Sequence, residues 1–230
     1  MTTTDSTTDV APGLTRQQLA ARVARDLQDG WCANLGIGVP LLVPAEIPPG
    51  REVLLHAEHG LLGVGPMARP GEEDPDLTDA GKNLVTLVEG AAAFDSATSF
   101  AIVRGGRLDV TVLGGLQVSE RGDLANWVVP GRNPGVGGAM DLVAGAQRVW
   151  VTMQHVDKEG APKLVRRCSF PLTGAGVVDR VYTDLAVFDV VDGALVLREC
   201  APGTSVAQVE RLTEAAFTVA LDPGSDTRES

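Results

Sequence analysis

Positive charge is in short supply in this sequence. It has 19 lysines and arginines against 30 aspartates and glutamates, a formal net charge of -11. Nucleic-acid binding needs a basic face that neutralises phosphates, so no nucleic-acid partner is expected. A small anionic ligand needs only local donors and stays open. Cysteine is also scarce: Cys32, Cys168 and Cys200 are widely spaced and odd in number. That spacing fits no disulfide framework and no metal pair, and incidental thiols in a reducing cytoplasm are the expectation. The three histidines, His56, His59 and His155, lack any His-x-x-x-His spacing, so no metal is expected. No apolar run approaches the length of a membrane span, which argues against membrane insertion. Met1 to Pro12 has no apolar stretch of the signal-peptide kind and reads as a disordered tail, residues 1–13 in all. Residues 222–230 read as a flexible C-terminal tail. Internal repeats, a mid-chain linker and a Gly-x-Ser-x-Gly elbow are all missing, which leaves a single domain over 14–221.

What is present is a chain of 230 residues, 44% hydrophobic and with 27 glycines, enough for a sizeable core. Thr15 and Gln18 form a capping box before an apolar stripe of Leu19, Val23 and Leu27, predicting a helix over Arg16 to Gln28. Leu14 and Leu19 sit as a hydrophobic staple, and Asp29-Gly30 reads as the stop. Apolar runs follow at Cys32 to Leu35, Val53 to His56, Asn83 to Val88, Leu108 to Leu113 and Arg148 to Met153. A short helix is predicted over Ala139 to Ala146. Leu185 to Val190 and Ala194 to Arg198 flank Asp192-Gly193, a hairpin signal. A last helix starts at Ser205, with Gln208 three residues on. The strands lack strict alternation and are followed by glycine, then helix. The expected fold is therefore α/β: an open, mostly parallel sheet with helices on both faces. In such sheets ligands bind beyond the carboxyl ends of the strands.

Several glycine clusters fall in that position. Gly36-Ile37-Gly38, Gly63-Val64-Gly65 and Gly135-Val136-Gly137-Gly138 each give half of a dinucleotide fingerprint, and none gives the whole. Tight turns explain them as well as close approach by a phosphate-bearing ligand does. Lys82, after Gly81, is either solvated surface or a phosphate partner. Asn126, in Asp123-Leu124-Ala125-Asn126-Trp127, has an ordinary reading as a turn cap. One residue stands apart. Glu58, in "LHAEHGLLGVGP", lies where a strand runs into a glycine-rich turn, a costly place for a carboxylate. It can serve as base, nucleophile or acceptor of loop amides.

Seven stretches in order resemble the B subunit of the two-subunit 3-oxoacid CoA-transferases: succinyl-CoA:3-ketoacid and 3-oxoadipate CoA-transferases. They are "NLGIGVP" from Asn34, "EHGLLGVGP" from Glu58, "DAGK" from Asp79, "SFAIVRGGRLDVTVLGGLQVSERGDLANW" from Ser99, "GVGGAMDLVAGA" from Gly135, "PLTG" from Pro171 and "VDRVYTDLAVFDV" from Val178. The resemblance implies that Glu58 is a nucleophile working by ping-pong chemistry through a glutamyl-CoA thioester. It implies that a backbone amide at Gly138 or its neighbour Gly137 stabilises an oxyanion, a glutamine of the A subunit supplying the other donor. It implies that Asn34, Gly36, Gly38, Gly81 and Lys82 lie near coenzyme A, which is a substrate and not a bound cofactor. The implied assembly is a cytoplasmic heterotetramer of two A and two B subunits acting on acyl-CoA and carboxylic acids, with succinyl-CoA the expected donor. A non-catalytic CoA-binding subunit and an acyl-CoA hydrolase using the same glutamate are the alternatives. The chain departs from the family pattern in places. The usual Ser-Glu-Asn-Gly is Ala57-Glu58-His59-Gly60, the usual Met-Glu-His is Met153-Gln154-His155, and Glu89 replaces a common proline.

Overall fold

The computed structural model describes residues 13–128, 131 and 135–223. Residues 1–12 and 224–230, read above as parts of tails, lie outside it. Helix α1 spans Arg16–Asp26, with the reciprocal Thr15 and Gln18 capping box in place. It ends two residues early, on an extended Leu27; Gly30 takes its positive φ in the following turn. Strand β1 is Cys32–Leu35. A 3₁₀ segment, Val39–Glu46, follows; Pro40 and Pro44 cannot donate the bonds an α-helix needs. Strands β2 (Leu54–Ala57), β3 (Leu61–Met67) and β4 (Val85–Ala93) come next. Helix α2, Ser96–Arg104, is capped by Asp95, whose side chain accepts from the Thr98 amide. Then come β5 (Val110–Gly114), β6 (Gln117–Ser119), β7 (Leu124–Ala125), α3 (Ala139–Gly145) and β8 (Val149–Met153). The chain finishes with β9 (Leu164–Val165), β10 (Arg180–Thr183), β11 (Ala186–Val191), β12 (Ala194–Cys200), α4 (Val206–Leu212) and β13 (Phe217–Val219).

Ten strands form one sheet in the order β13-β12-β11-β10-β8-β5-β1-β2-β3-β4. Its centre, β10-β8-β5-β1-β2, is parallel throughout. Antiparallel pairs flank the centre on either side, β2-β3-β4 on one and β10-β11-β12 on the other. A second, small sheet has the order β7-β6-β9, and its Val118, Leu124 and Leu164 join the core on the α2 face. The expected mostly parallel sheet is present.

Side chains alternate across this sheet and divide the core into two. On one face, Leu19, Val23 and Leu27 of the first helical segment pack with Ala33, Leu35, Val110, Val112, Trp150 and Tyr182. On the other, residues of α2, α3 and α4 pack with Leu113, Val149, Val151, Val181 and Phe188. Helices therefore cover both faces, as expected. The Asp192-Gly193 turn has positive φ at both residues, 51° and 73°, the primed turn that suits the twist of the β11–β12 hairpin.

One expectation is corrected. Gly63-Val64-Gly65 is not a turn. It lies within β3, paired with β4, and the register slips between Leu62 and Val64 and again before Met67. Gly63 adopts φ +86°, the backbone of a bulge, so glycine here marks an irregular strand.

Candidate active site

The parallel strands bring three loops together at their carboxyl ends. Gly36 follows β1, Glu58 follows β2, and Gly115 follows β5. The turn carrying Glu58 is tight: the Gly60 amide donates to the Ala57 carbonyl at 3.0 Å, and the Phe94 amide donates to the Gly60 carbonyl at 2.9 Å. Gly60 has φ +131°, and a Cβ there would stand 2.0 Å from the Phe94 carbonyl oxygen. Only glycine fits, so the chain turns directly after Glu58 and leaves its side chain half-buried at the strand end.

Asn34 and His56 are paired across β1 and β2 and point to the α2 face of the sheet. The Asn34 side chain is fully buried. Its Nδ2 donates to Glu58 Oε2 at 3.1 Å and to the His56 carbonyl at 3.2 Å. Its Oδ1 accepts from the Thr111 hydroxyl of β5 at 3.2 Å. The carboxylate thus has a neutral amide for a partner, and among the described residues no salt bridge holds it. A carboxylate in this state keeps lone pairs available for attack.

Gly138, at the start of α3, approaches from the other side. A Cβ there would lie 2.7 Å from Phe100 Cζ and 3.7 Å from Glu58 Cγ, so glycine lets the α3 backbone come close to the carboxylate. An exposed ion pair, Arg104–Asp141 at 2.7 Å, also joins α3 to α2.

Of the residues singled out in the sequence, Glu58, Asn34 and Gly138 therefore come together. Gly36 is in the adjoining loop, its amide donating to the Val112 carbonyl at 2.8 Å, and Gly38 has φ +105° with open space around it. Gly81 and Lys82 lie in the turn before β4. Asp79 Oδ1 accepts from the Gly81 and Asn83 amides, and Lys82 is exposed with φ +64°. Asp79 and Ala80 border a cavity of about 460 Å³, whose walls include Leu35, Leu55, Val64 and, directly before Glu58, His56 and Ala57. Leu35, Leu55 and Val64 belong to the α1 face, opposite Asn34. Neither Glu58 nor Asn34 lines that cavity. Gly137 has φ +59°, and 129–130 and 132–134 of the preceding loop lie outside the described residues.

Sequence reasoning assigned no role to Ser99, Thr111 or Phe100. Both Ser99 and Thr111 are fully buried; Thr111 stands alone in an apolar stretch, which was the available signal, whereas Ser99 follows Ser96 and Thr98 and gave none. Asn126 is structural but not as a turn cap: its Oδ1 accepts from Thr173 Oγ1, 47 residues on, at 2.6 Å. Burial, reinforced by a nearby aspartate in each case, pushes the Cys32 and Cys168 thiols up to about 11, away from reactivity.

The description "Coenzyme A transferase" fits residues 16–211 of this sequence. The chain belongs to the coenzyme A transferase family. That membership makes it a CoA-transferase chain, as the resemblance implied. It is 52% identical over 205 residues to the B subunit of the probable succinyl-CoA:3-ketoacid coenzyme A transferase of Bacillus subtilis, covering 89% of this chain and 95% of that one. It is 49% identical over 204 residues to the B subunit of the 3-oxoadipate CoA-transferase of Acinetobacter baylyi, covering 88% and 94%. Among solved structures, the acyl-CoA transferase YdiF apoenzyme of Escherichia coli O157:H7 superposes with a TM-score of 0.73 at 20% identity. That alignment covers 91% of this chain and 43% of YdiF, so the family chain described here spans less than half of that protein.

Proposed function

We propose that this chain is the B subunit of a two-subunit CoA-transferase, and that it moves CoA from an acyl-CoA donor to a 3-oxoacid through Glu58. The observation that carries the reading is the state of that carboxylate: half-buried at the carboxyl end of a parallel strand, held by a buried amide and, among the described residues, bound to no cation. Glu58 attacks the thioester carbonyl, forming a mixed anhydride and expelling CoA thiolate. The thiolate then attacks the glutamyl carbonyl, leaving a glutamyl-CoA thioester and releasing the first acid. The acceptor acid reverses both steps and departs as its CoA ester. Each addition puts negative charge on a carbonyl oxygen, which preorganised amide donors stabilise by about 3 kcal/mol apiece. The Gly138 amide is assigned as one donor, since its backbone is the one that closes on Glu58. Gly36, Gly38, Gly81 and Lys82 are assigned to CoA.

Relatives named as B subunits support the need for an A subunit. Their printed names include succinyl-CoA:3-ketoacid and 3-oxoadipate activities, so a succinyl-CoA donor and a 3-oxoacid acceptor are the substrates to try first. The test is made on the complex assembled with its A subunit, which is incubated with acyl-CoA alone and then digested. A CoA adduct on the Glu58 peptide is expected. Acyl exchange in the absence of that adduct would overturn the reading. Release of free CoA without acceptor acid would mark a hydrolase, and CoA binding with neither outcome a non-catalytic subunit.

A further inference from the structure

Beneath the carboxylate lies a histidine that the chemistry above does not use. His56 is buried, and its ring bridges two elements. Nε2 lies 3.0 Å from Ser99 Oγ of α2, and Nδ1 lies 3.5 Å from Asn34 Nδ2 of β1. Phe94 stacks on the ring, with centroids 6.4 Å apart. We propose that His56, as the neutral imidazole carrying its proton on Nε2, is a positioning residue that holds the Asn34 amide on Glu58.

The argument is one of donors and acceptors. Asn34 Nδ2 has two hydrogens and three neighbouring acceptors: Glu58 Oε2, the His56 carbonyl and, if unprotonated, His56 Nδ1. A proton on Nδ1 would face an NH₂ group and find no acceptor. With Nδ1 bare, Nε2 must carry the hydrogen, and Ser99 Oγ is placed to receive it. The Thr111 hydroxyl can donate or accept, so it does not decide which way the Asn34 carboxamide turns. The imidazole lone pair, the carbonyl and the carboxylate together decide it. Burial lowers His56 below the ordinary histidine value; Glu58 opposes that shift and His59 adds to it. Among the described residues, the ring's side-chain hydrogen-bond partners are Asn34 of β1 and Ser99 of α2, both uncharged. The neutral state is thus the one the site supports. Ser99 and His56 lie 43 residues apart, so helix α2 reports directly on the nucleophile turn.

This inference rests on the nucleophilic reading of Glu58, and its test separates the two. In the assembled complex, formation of the glutamyl-CoA adduct is followed in a single turnover by mass spectrometry of the Glu58 peptide, beside thermal midpoints. His56→Leu removes both ring contacts and is expected to slow adduct formation about 10- to 100-fold, with less than about a threefold change in KM for acyl-CoA. His56→Gln offers an acceptor and a donor without titrating, and is expected to restore most of the rate. Ser99→Ala leaves the ring in place but without its anchor, and is expected to slow the step several-fold with its thermal midpoint near that of the wild type. It keeps the test decisive should His56→Leu fail to fold. Wild-type rates in both His56→Leu and Ser99→Ala overturn the positioning role, as does a loss of rate matched by a loss of thermal stability in both. If the wild-type complex itself forms no adduct, it is the Glu58 reading that falls.

Discussion

Two half-buried carboxylates stand at opposite ends of the same parallel sheet. Glu58 follows the carboxyl end of β2 and accepts from one neutral amide, Asn34. Asp26, at the end of α1, sits against the amino end of β10. It accepts from Arg22 at 2.7 Å, Arg180 at 2.6 Å and the Tyr182 hydroxyl at 2.7 Å. Arg22 continues to Glu199, and Arg180 continues through Asp189 to Arg198. Desolvation raises the Asp26 carboxyl, but the Arg22 hydrogen bond and charge, with Tyr182 and Arg180, bring it below its ordinary value. On the proposed reading of Glu58 the contrast separates two roles. Asp26, a structural carboxylate, is saturated by cations, whereas Glu58, proposed to attack a carbonyl, is oriented by an amide and, among the described residues, paired with no cation.

The strongest test of that contrast exchanges the carboxylates for amides. Glu58→Gln should reduce exchange in the assembled complex by about 10³-fold or more, since the attacking oxygen is gone. The thermal midpoint of this variant should hardly move, because the new carboxamide oxygen can still accept from Asn34. Steady-state exchange and a melting curve check both halves. Exchange retained in Glu58→Gln would make Glu58 another structural carboxylate.

Next in size is a change that leaves Glu58 in place and alters its partner. Asn34→Asp sets a second carboxylate about 3 Å away, where like charges raise one member's pKa. Adduct formation should fall about 100-fold at neutral pH and recover in part as pH rises, because Glu58 must be ionised to attack. A pH–rate profile of the single turnover reads this.

At the other end of the sheet the expected loss is stability, not rate. Asp26→Asn should cost about 2 kcal/mol in urea unfolding, at the modest end for breaking a buried ion network, because Arg22 keeps Glu199 and Arg180 keeps Asp189. Exchange per folded complex should be unchanged. The pH dependence has a definite sign. The folded carboxyl binds its proton less readily than the unfolded one, so its stabilisation is present above the ordinary value of 3.8 and is lost as pH falls below it. Asp26→Asn should therefore flatten the acid limb of stability below about pH 4.

How much of this the sequence disclosed differs between the two ends. The capping box of α1 and the Asp192-Gly193 hairpin were legible because they rest on contacts within a few residues, and β1 was legible as an apolar run before glycine. Helix α2 was not, since Ser96–Arg104 mixes Ser and Thr with apolar residues, and its cap, Asp95, is one acid among many. Strand β3 was hidden by its own glycines, which read as a turn until β4 is seen to pair with them. Glu58 was legible as an anomaly: a carboxylate after an apolar run. Its support was not. Asn34 is 24 residues from Glu58, Ser99 is 43 from His56 and Thr111 is 77 from Asn34. Only the sheet order brings β1, β2 and β5 side by side. The Asp26 network is longer in range still; Tyr182 and Arg180 are 156 and 154 residues away. Local chemistry can be read from a string, whereas partnership across a sheet requires knowing which strands are neighbours.

The smallest expected effect concerns His59, which stands where the family pattern has asparagine. It adjoins Glu58 in sequence, yet it is exposed, on the outer side of a turn fixed by Gly60 and Phe94. A charge on an exposed side chain is screened by water, so its influence on Glu58 is weak compared with a buried contact. His59→Asn, which restores the family residue, should change adduct formation less than about threefold at neutral pH and leave the thermal midpoint in place. His59→Lys puts a permanent cation at the same position and tests the contrast with Asp26 directly. If the nucleophile must stay unneutralised, the lysine variant should slow adduct formation several-fold more than the asparagine variant, and added salt should narrow the gap. Equal rates in the two variants would mean that the amide contact to Asn34, and not the lack of a cation, is what sets Glu58 apart.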